Sequence, residues 1–146
     1  MLQYLVRHGQ SVSNVEERVQ GQEDVDLSEL GRAQALAVAA WARRQNAETP
    51  IDEIWSSPLK RARHTAEAIA AALGLPLLLE EGLRELHAGV FQGHLWADLE
   101  QRFPDALASW RSGDANYSIP AASRGRPSRG AAAKRSAGWR IAMRRR

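Results

Sequence analysis

Near the N-terminus an apolar run, Leu2 to Val6, gives way at once to Arg7, His8 and Gly9. Arg61 and Glu85 lie far along the chain, each just past another short apolar run. Imidazole is a competent nucleophile toward phosphorus when it is neutral and held in place. Guanidinium presents a fork that matches phosphate and carboxylate oxygens. A carboxylic acid with a raised pKa can protonate a leaving alkoxide. Gly9 lets the backbone approach a ligand closely. These residue types together can transfer a phosphoryl group, and the charge stabilisation can come from arginine.

That chemistry requires elements that bring distant residues to one place. Leu2 to Val6 reads as a short buried strand. Gly9 to Asp26 is polar and irregular and reads as a loop. Ser28 is a candidate cap for a helix whose residues Ala33, Leu36, Ala37, Ala40 and Trp41 would face a core. Gln45 to Pro50 ends that helix. "IDEIW", Ile51 to Trp55, is a second strand. Ser57 suits the cap and Pro58 the first position of a second helix. The stripe of that helix is Leu59, Ala62, Ala66, Ile69, Ala70 and Leu73, and Gly74 stops it. Pro76 to Leu79 is a third strand, and "LRELHAGVFQG" a loop. Leu95 to Trp110 forms two short helices broken at Pro104.

Strands alternating with helices predict an α/β fold, a mostly parallel sheet with helices on both faces. In such sheets ligands sit beyond the carboxyl ends of the strands. Arg7 and His8, the start of the second helix with Arg61, and Glu85 would all lie at that edge. The helix start itself favours anions.

The chain has 146 residues and a net charge of +3. Residues 1–114 carry 11 Lys+Arg and all 17 Asp+Glu, whereas residues 115–146 carry 9 Lys+Arg and no acid. The division predicts a domain over 1–114 and a basic, disordered or aberrant tail over 115–146. Nine cations would hold nucleic acid nonspecifically, without a recognisable nucleic-acid fold. Cysteine is absent, which excludes disulfides, thiolate metal sites and a cysteine nucleophile. No apolar run approaches the roughly 20 residues of a membrane helix. The expectation is a cytoplasmic protein with no membrane, metal or cofactor requirement. Its oligomeric state is not specified.

Four blocks in order carry a resemblance: "LVRHGQSVSN", "VQGQEDVDLSELGRAQA", "WSSPLKRARHTAEAIA" and "LRELHAGVFQG". Together they resemble the histidine phosphatase superfamily, the phosphoglycerate mutase-like proteins, over Leu5 to about Trp110. The loop pattern is more similar to the small phosphatase branch than to the glycolytic mutases. The resemblance implies a three-layer α/β/α sandwich. It implies that His8 is the phosphorylated nucleophile, that Arg7 and Arg61 grip the phosphoryl group, and that Glu85 is the proton donor. Ser11, Asn14, Gln20 and Gly21 match positions lining the phosphate and substrate pocket. The implied ligand is a small phosphorylated metabolite. The region of Trp96 and Trp110 can form a lid.

The resemblance also implies a second catalytic histidine, in a strand ending Ser-His-Gly-Gly near the C-terminus. The four histidines here are His8, His64, His87 and His94. "IPAASRG" stands where members often have Ile-Pro-Gly-Gly-Glu-Ser. With GC-rich codons, a one-base displacement inside Pro120 turns Ala-Ala-Ser-Arg into Gly-Gly-Glu-Ser-Arg. The expectation is therefore a sandwich incomplete at its C-terminus, truncated or frameshifted after Pro120, with no later strand. The activity expected is a metal-independent phosphomonoesterase, impaired by the loss. The alternatives are a phosphoglycerate mutase and an inactive member that binds phosphorylated ligands.

Overall fold

The computed structural model describes residues 2–114, 117–122 and 139–144. Strand β1 spans Gln3–Arg7 and is followed by one helical turn, α1, Val12–Val15. Helix α2 covers Glu29–Glu48, strand β2 Glu53–Ser56, helix α3 Lys60–Leu73 and strand β3 Leu77–Leu79. Three 3₁₀ turns then lead to α4, Leu99–Arg102, and α5, Pro104–Arg111; β4 is Trp139–Arg144. The sheet order is β1-β4-β2-β3. β4 pairs antiparallel with both β1 and β2, and β2 pairs parallel with β3. Three of the four strands therefore point the same way, and their carboxyl ends share one edge.

Six residues of the stretch expected to be disordered thus form a central strand, and the expectation of no later strand is corrected. The physical reason is local. Ile141, Ala142 and Met143 are a short apolar island in a basic segment, and all three are buried. The backbone of β4 joins β1 to β2, which otherwise have no common ladder. At residues 115–116, 123–138 and 145–146 the tail expectation lies outside the described residues.

One row of side chains explains the main core. Tyr4 pairs with Met143, Met143 with Ile54, and Ile54 with Leu77, so a single apolar row crosses all four strands. Against it lie Ala39 and Ala42 of α2 and Ala66, Ile69 and Ala70 of α3. On the opposite face the row is Leu5, Ala142, Trp55 and Leu78. Leu5 is 54% exposed there and Leu78 36%, so that face is open at both edges. Among the described residues the α/β sandwich is present as its sheet and one helical layer against it, in agreement with the incompleteness expected.

Helix α2 buries a different face from the one predicted. Gly31, Ala35, Ala39 and Ala42 are inside, while Ala33, Leu36, Ala37 and Ala40 are exposed and Trp41 is half-buried. An alanine-rich helix gives a weak periodic signal, and here small residues win because they admit close approach. A Cβ on Gly31 would sit 1.9 Å from the carbonyl oxygen of Gln10. Leu36, the largest aliphatic residue of the predicted face, is 67% exposed. In α3 the predicted stripe is the buried one, except that Leu73 is only partly buried, with Arg61 and Thr65 added to it. Gly74 ends α3 in the left-handed conformation, φ 67°. The helix starts at Lys60, two residues after the predicted Pro58, with Leu59 as a cap that offers no side-chain bond.

A second, smaller cluster joins Val19, Phe91, Leu99 and Leu107. It anchors the segment around Gly89 and the short helices α4 and α5. Pro104 opens α5, as predicted. The loop Gly9–Asp26 contains α1, capped by Ser11 and Asn14 in a reciprocal capping box.

Candidate active site

His8 leaves β1 immediately after a register shift between Val6 and Arg7. Such bulges re-aim side chains at strand ends. The ring is then fixed from two sides. Nδ1 lies 2.7 Å from the carbonyl oxygen of Gly9. A carbonyl only accepts, so Nδ1 carries the proton and Nε2 keeps its lone pair in the neutral ring. Arg61 Nε donates to Nε2 at 3.3 Å. Burial holds the imidazole below its ordinary pKa of 6.5, and Arg61 and Arg7 push the same way. The Gly9 carbonyl and Glu85 act in the opposite direction.

Arg61 is 2% exposed and is held in the first turn of α3. Its Nη1 donates to the Glu23 carbonyl at 2.7 Å and Nη2 to that of Gly21 at 2.8 Å. One turn later, Thr65 shares the same helix face. Its hydroxyl donates to the Arg61 carbonyl at 2.8 Å and accepts from the Gly9 N–H at 3.1 Å. Thr65 therefore ties the His8 loop to the helix carrying Arg61. The i, i+4 spacing to Arg61 is the signal that could have found it.

The helix start was expected to hold an anion, but the Lys60 N–H is already taken. It donates to Asp24 Oδ1 at 2.7 Å, and Lys60 Nζ lies 3.7 Å from Asp24 Oδ2. Asp24 caps α3 from a distant loop, which no local pattern announces.

Glu85 is partly buried in the segment after β3. Its carbonyl accepts from Gln22 Nε2 at 2.9 Å, and Gln22 N–H donates to Gln92 Oε1 at 2.9 Å. A cleft of about 310 Å³ is lined by Arg7, His8, Gln10, Asn14 and Gln34. Ser11 is fully buried, and its hydroxyl donates to Gln20 Oε1 at 2.7 Å and accepts from the Asn14 N–H. Gly21, at φ 51°, abuts Ala88 and Gln92, where a side chain would clash. The structure thus brings Arg7, His8, Asn14 and Arg61 together and sets Ser11, Gln20 and Gly21 in the wall behind them.

The other histidines have their own partners. His64 Nδ1 is 2.8 Å from Asp26 Oδ1, and that bond holds the Asp26 carboxyl below its ordinary range. His87 Nδ1 accepts from the Gly89 N–H, and His94 meets Phe103 edge-on. Trp96 and Trp110 pack at 5.8 Å between ring centres, both partly exposed. Among the described residues no cluster of three or more His, Asp or Glu is placed to hold a metal ion, and no helix is long and apolar enough to cross a membrane.

The model of the histidine phosphatase superfamily, branch 1, matches residues 3–146. The chain belongs to the histidine phosphatase superfamily. Within that family it is 43% identical to a glucosyl-3-phosphoglycerate phosphatase of Mycolicibacterium vanbaalenii over 108 residues, 73% of this chain and 46% of that one. It is 39% identical to phosphoglycerate mutase-like protein 4 of Arabidopsis thaliana over 117 residues, 80% of this chain and 50% of that one. Among solved structures, a mycobacterial glucosyl-3-phosphoglycerate phosphatase complexed with VO3 superimposes with a TM-score of 0.70 at 40% identity, over 82% of this chain and 54% of that one. The chain spans about half the length of the curated relatives it matches.

Proposed function

We propose that this histidine phosphatase family member hydrolyses small phosphomonoesters through a phosphohistidine on His8, without a metal. The observation that carries the reading is the state of the His8 ring. Nδ1–H is pinned to the Gly9 carbonyl, so Nε2 holds its lone pair beside the Arg61 guanidinium. Nε2 forms a bond to phosphorus as the ester oxygen leaves with its electron pair. Glu85 delivers a proton to that oxygen, and later takes one from the water that frees the phosphate. Arg7 and Arg61 bind the phosphoryl oxygens and stabilise the charge that builds on them. Asn14 faces the substrate, while Ser11, Gln20 and Gly21 hold the wall against which it sits. Within these 146 residues the second histidine that the resemblance implies is missing, and transfer without it is expected to be slow.

The test is release of p-nitrophenol from p-nitrophenyl phosphate in the presence of EDTA, by the chain and by His8→Ala. Turnover that falls to the solution background in His8→Ala supports the reading. A folded chain with no turnover points to a family member that only binds phosphorylated ligands. Interconversion of phosphoglycerates without release of inorganic phosphate would point to a mutase.

A further inference from the structure

Helix α2 is apolar on two faces. Gly31, Ala35, Ala39 and Ala42 are buried against the core. On the outer side Leu30, Ala33, Ala37 and Ala40 follow at spacings of three and four residues, and all four are exposed. Arg44 ends that row. Beside it run Glu29, Leu36 and Arg43, seven residues apart and also exposed. Leu36 is 67% exposed, the most of any large apolar side chain among the described residues, and Leu30 is 55% exposed. An isolated exposed leucine is ordinary. Two on one side of one helix, joined by alanines, make an apolar strip that meets water directly. Apolar residues at alternating spacings of three and four form the seam along which two helices pack. The face that periodicity marks for a core is thus free of the chain's own core.

The charges beside the seam select the helix that fits it. Arg32 is paired with Asp26 of its own chain. Glu29 and Arg43 make no ion pair with any described residue. They stand at opposite ends of the strip, about 21 Å apart on a helix rising about 1.5 Å per residue, with Leu36 midway. A two-fold axis near Leu36 turns α2 into an antiparallel mate of itself. Glu29 then faces the partner's Arg43, Arg43 faces the partner's Glu29, and Leu36 meets the partner's Leu36. A parallel mate would set Glu29 against Glu29 and Arg43 against Arg43. The antiparallel order also opposes the two helix dipoles. Alanines along the seam let the axes approach to about 8 Å, the close end of helix packing.

We propose that the outer face of α2 is a self-association surface, on which a second copy of this chain docks its own α2 antiparallel about a two-fold axis near Leu36. The acid at one end and the base at the other make the strip complementary to itself, which a second copy satisfies without any other partner. A contact between two helices is small among specific interfaces, below about 1,200 Å² in total. The dimer expected is therefore reversible, with a dissociation constant on the order of 10 μM.

The test is sedimentation velocity on the full chain, at concentrations reaching about ten times that dissociation constant. The expected result is a monomer–dimer equilibrium. Leu36→Glu should keep the circular-dichroism spectrum, because that side chain is mostly in solvent. It should weaken dimerisation about tenfold or more, since two carboxylates then meet at the axis. Should Leu36→Glu unfold, Ala37→Glu in the adjoining row is read in its place. Glu29→Arg and Arg43→Glu should each weaken the dimer about fivefold, by setting like charges opposite one another at two equivalent contacts. The double reversal should return it to within about twofold of the original, because both contacts are again of opposite sign. A chain that stays monomeric, a dimer indifferent to the glutamate at position 36 or 37, or single reversals that the double does not rescue overturns the proposal.

Discussion

At the scale of single residues, His8 couples chemistry to pH. Its folded pKa lies below 6.5, chiefly because the ring is buried and then because Arg61 and Arg7 are near. The nucleophilic form therefore persists into mildly acidic solution. The acid limb of kcat/KM for p-nitrophenyl phosphate is expected below pH 6.5, and a limb at or above 6.5 would contradict the environment described for the ring. Stability must follow the same linkage. In the window just below pH 6.5 the unfolded imidazole binds a proton that the folded one refuses. Folding stability should then fall as pH drops through that window, down to the folded pKa, and His8→Ala should remove that part of the slope. Urea melts at several pH values measure it. The identity of His8, Arg61 and Glu85 as candidates was legible in sequence, because their types and their positions after apolar runs sufficed. Asp24, Gln10 and Gln34 were not, because each matters through a partner 24 or 36 residues away.

At the scale of elements, the site depends on how close α2 comes to the His8 loop. Gly9 and Gly31 face each other, and a Cβ on Gly9 would stand 2.4 Å from the Gly31 carbonyl oxygen. The same approach allows the Ser28 N–H to donate to the Gln10 carbonyl at 2.9 Å. Gly31→Ala inside an ordinary exposed helix would stabilise by about 1 kcal/mol. Here it should destabilise by about 1–3 kcal/mol or more, because backbone blocks the added methyl. It should also lower hydrolysis, since α2 carries Gln34. Urea denaturation reads the sign, and a stabilised variant would show that the two segments do not touch. Helix starts, stops and the break at Pro104 were legible because caps, Gly74 and proline act locally. The buried face of α2 was not, because an Ala-rich helix presents two faces of similar hydrophobicity and only the close fit against Gln10 and α3 chooses between them.

At the scale of the whole molecule, the sheet is held together by a strand from the basic C-terminal stretch. β4 lies between β1 and β2. Ile141 is 1% exposed and pairs with Val6 on one side and Ser56 on the other. Ile141→Ala is expected to cost about 2–5 kcal/mol in urea melts, the usual loss for a buried isoleucine. A change near zero would mean that these residues do not enter the sheet, as the composition of residues 115–146 alone suggests. Between β1 and β2 the chain runs through α2, and β2 reaches β3 through α3. Those crossovers bring His8, Arg61 and the segment of Glu85 to one edge.

By itself, the sequence determined the alternation of strands and helices, the edge at which chemistry-bearing residues gather, and the family. Those follow from short-range signals: apolar runs, caps, breakers and ordered motifs. Tertiary structure alone decided that a basic segment supplies the strand joining β1 to β2. It also decided that α2 turns its alanines inward, that Asp24 occupies the N–H of Lys60, and that Gln10, Asn14 and Gln34 line one cleft with His8. Each of these depends on what lies opposite in space, where small residues admit close approach and each backbone N–H requires one particular oxygen.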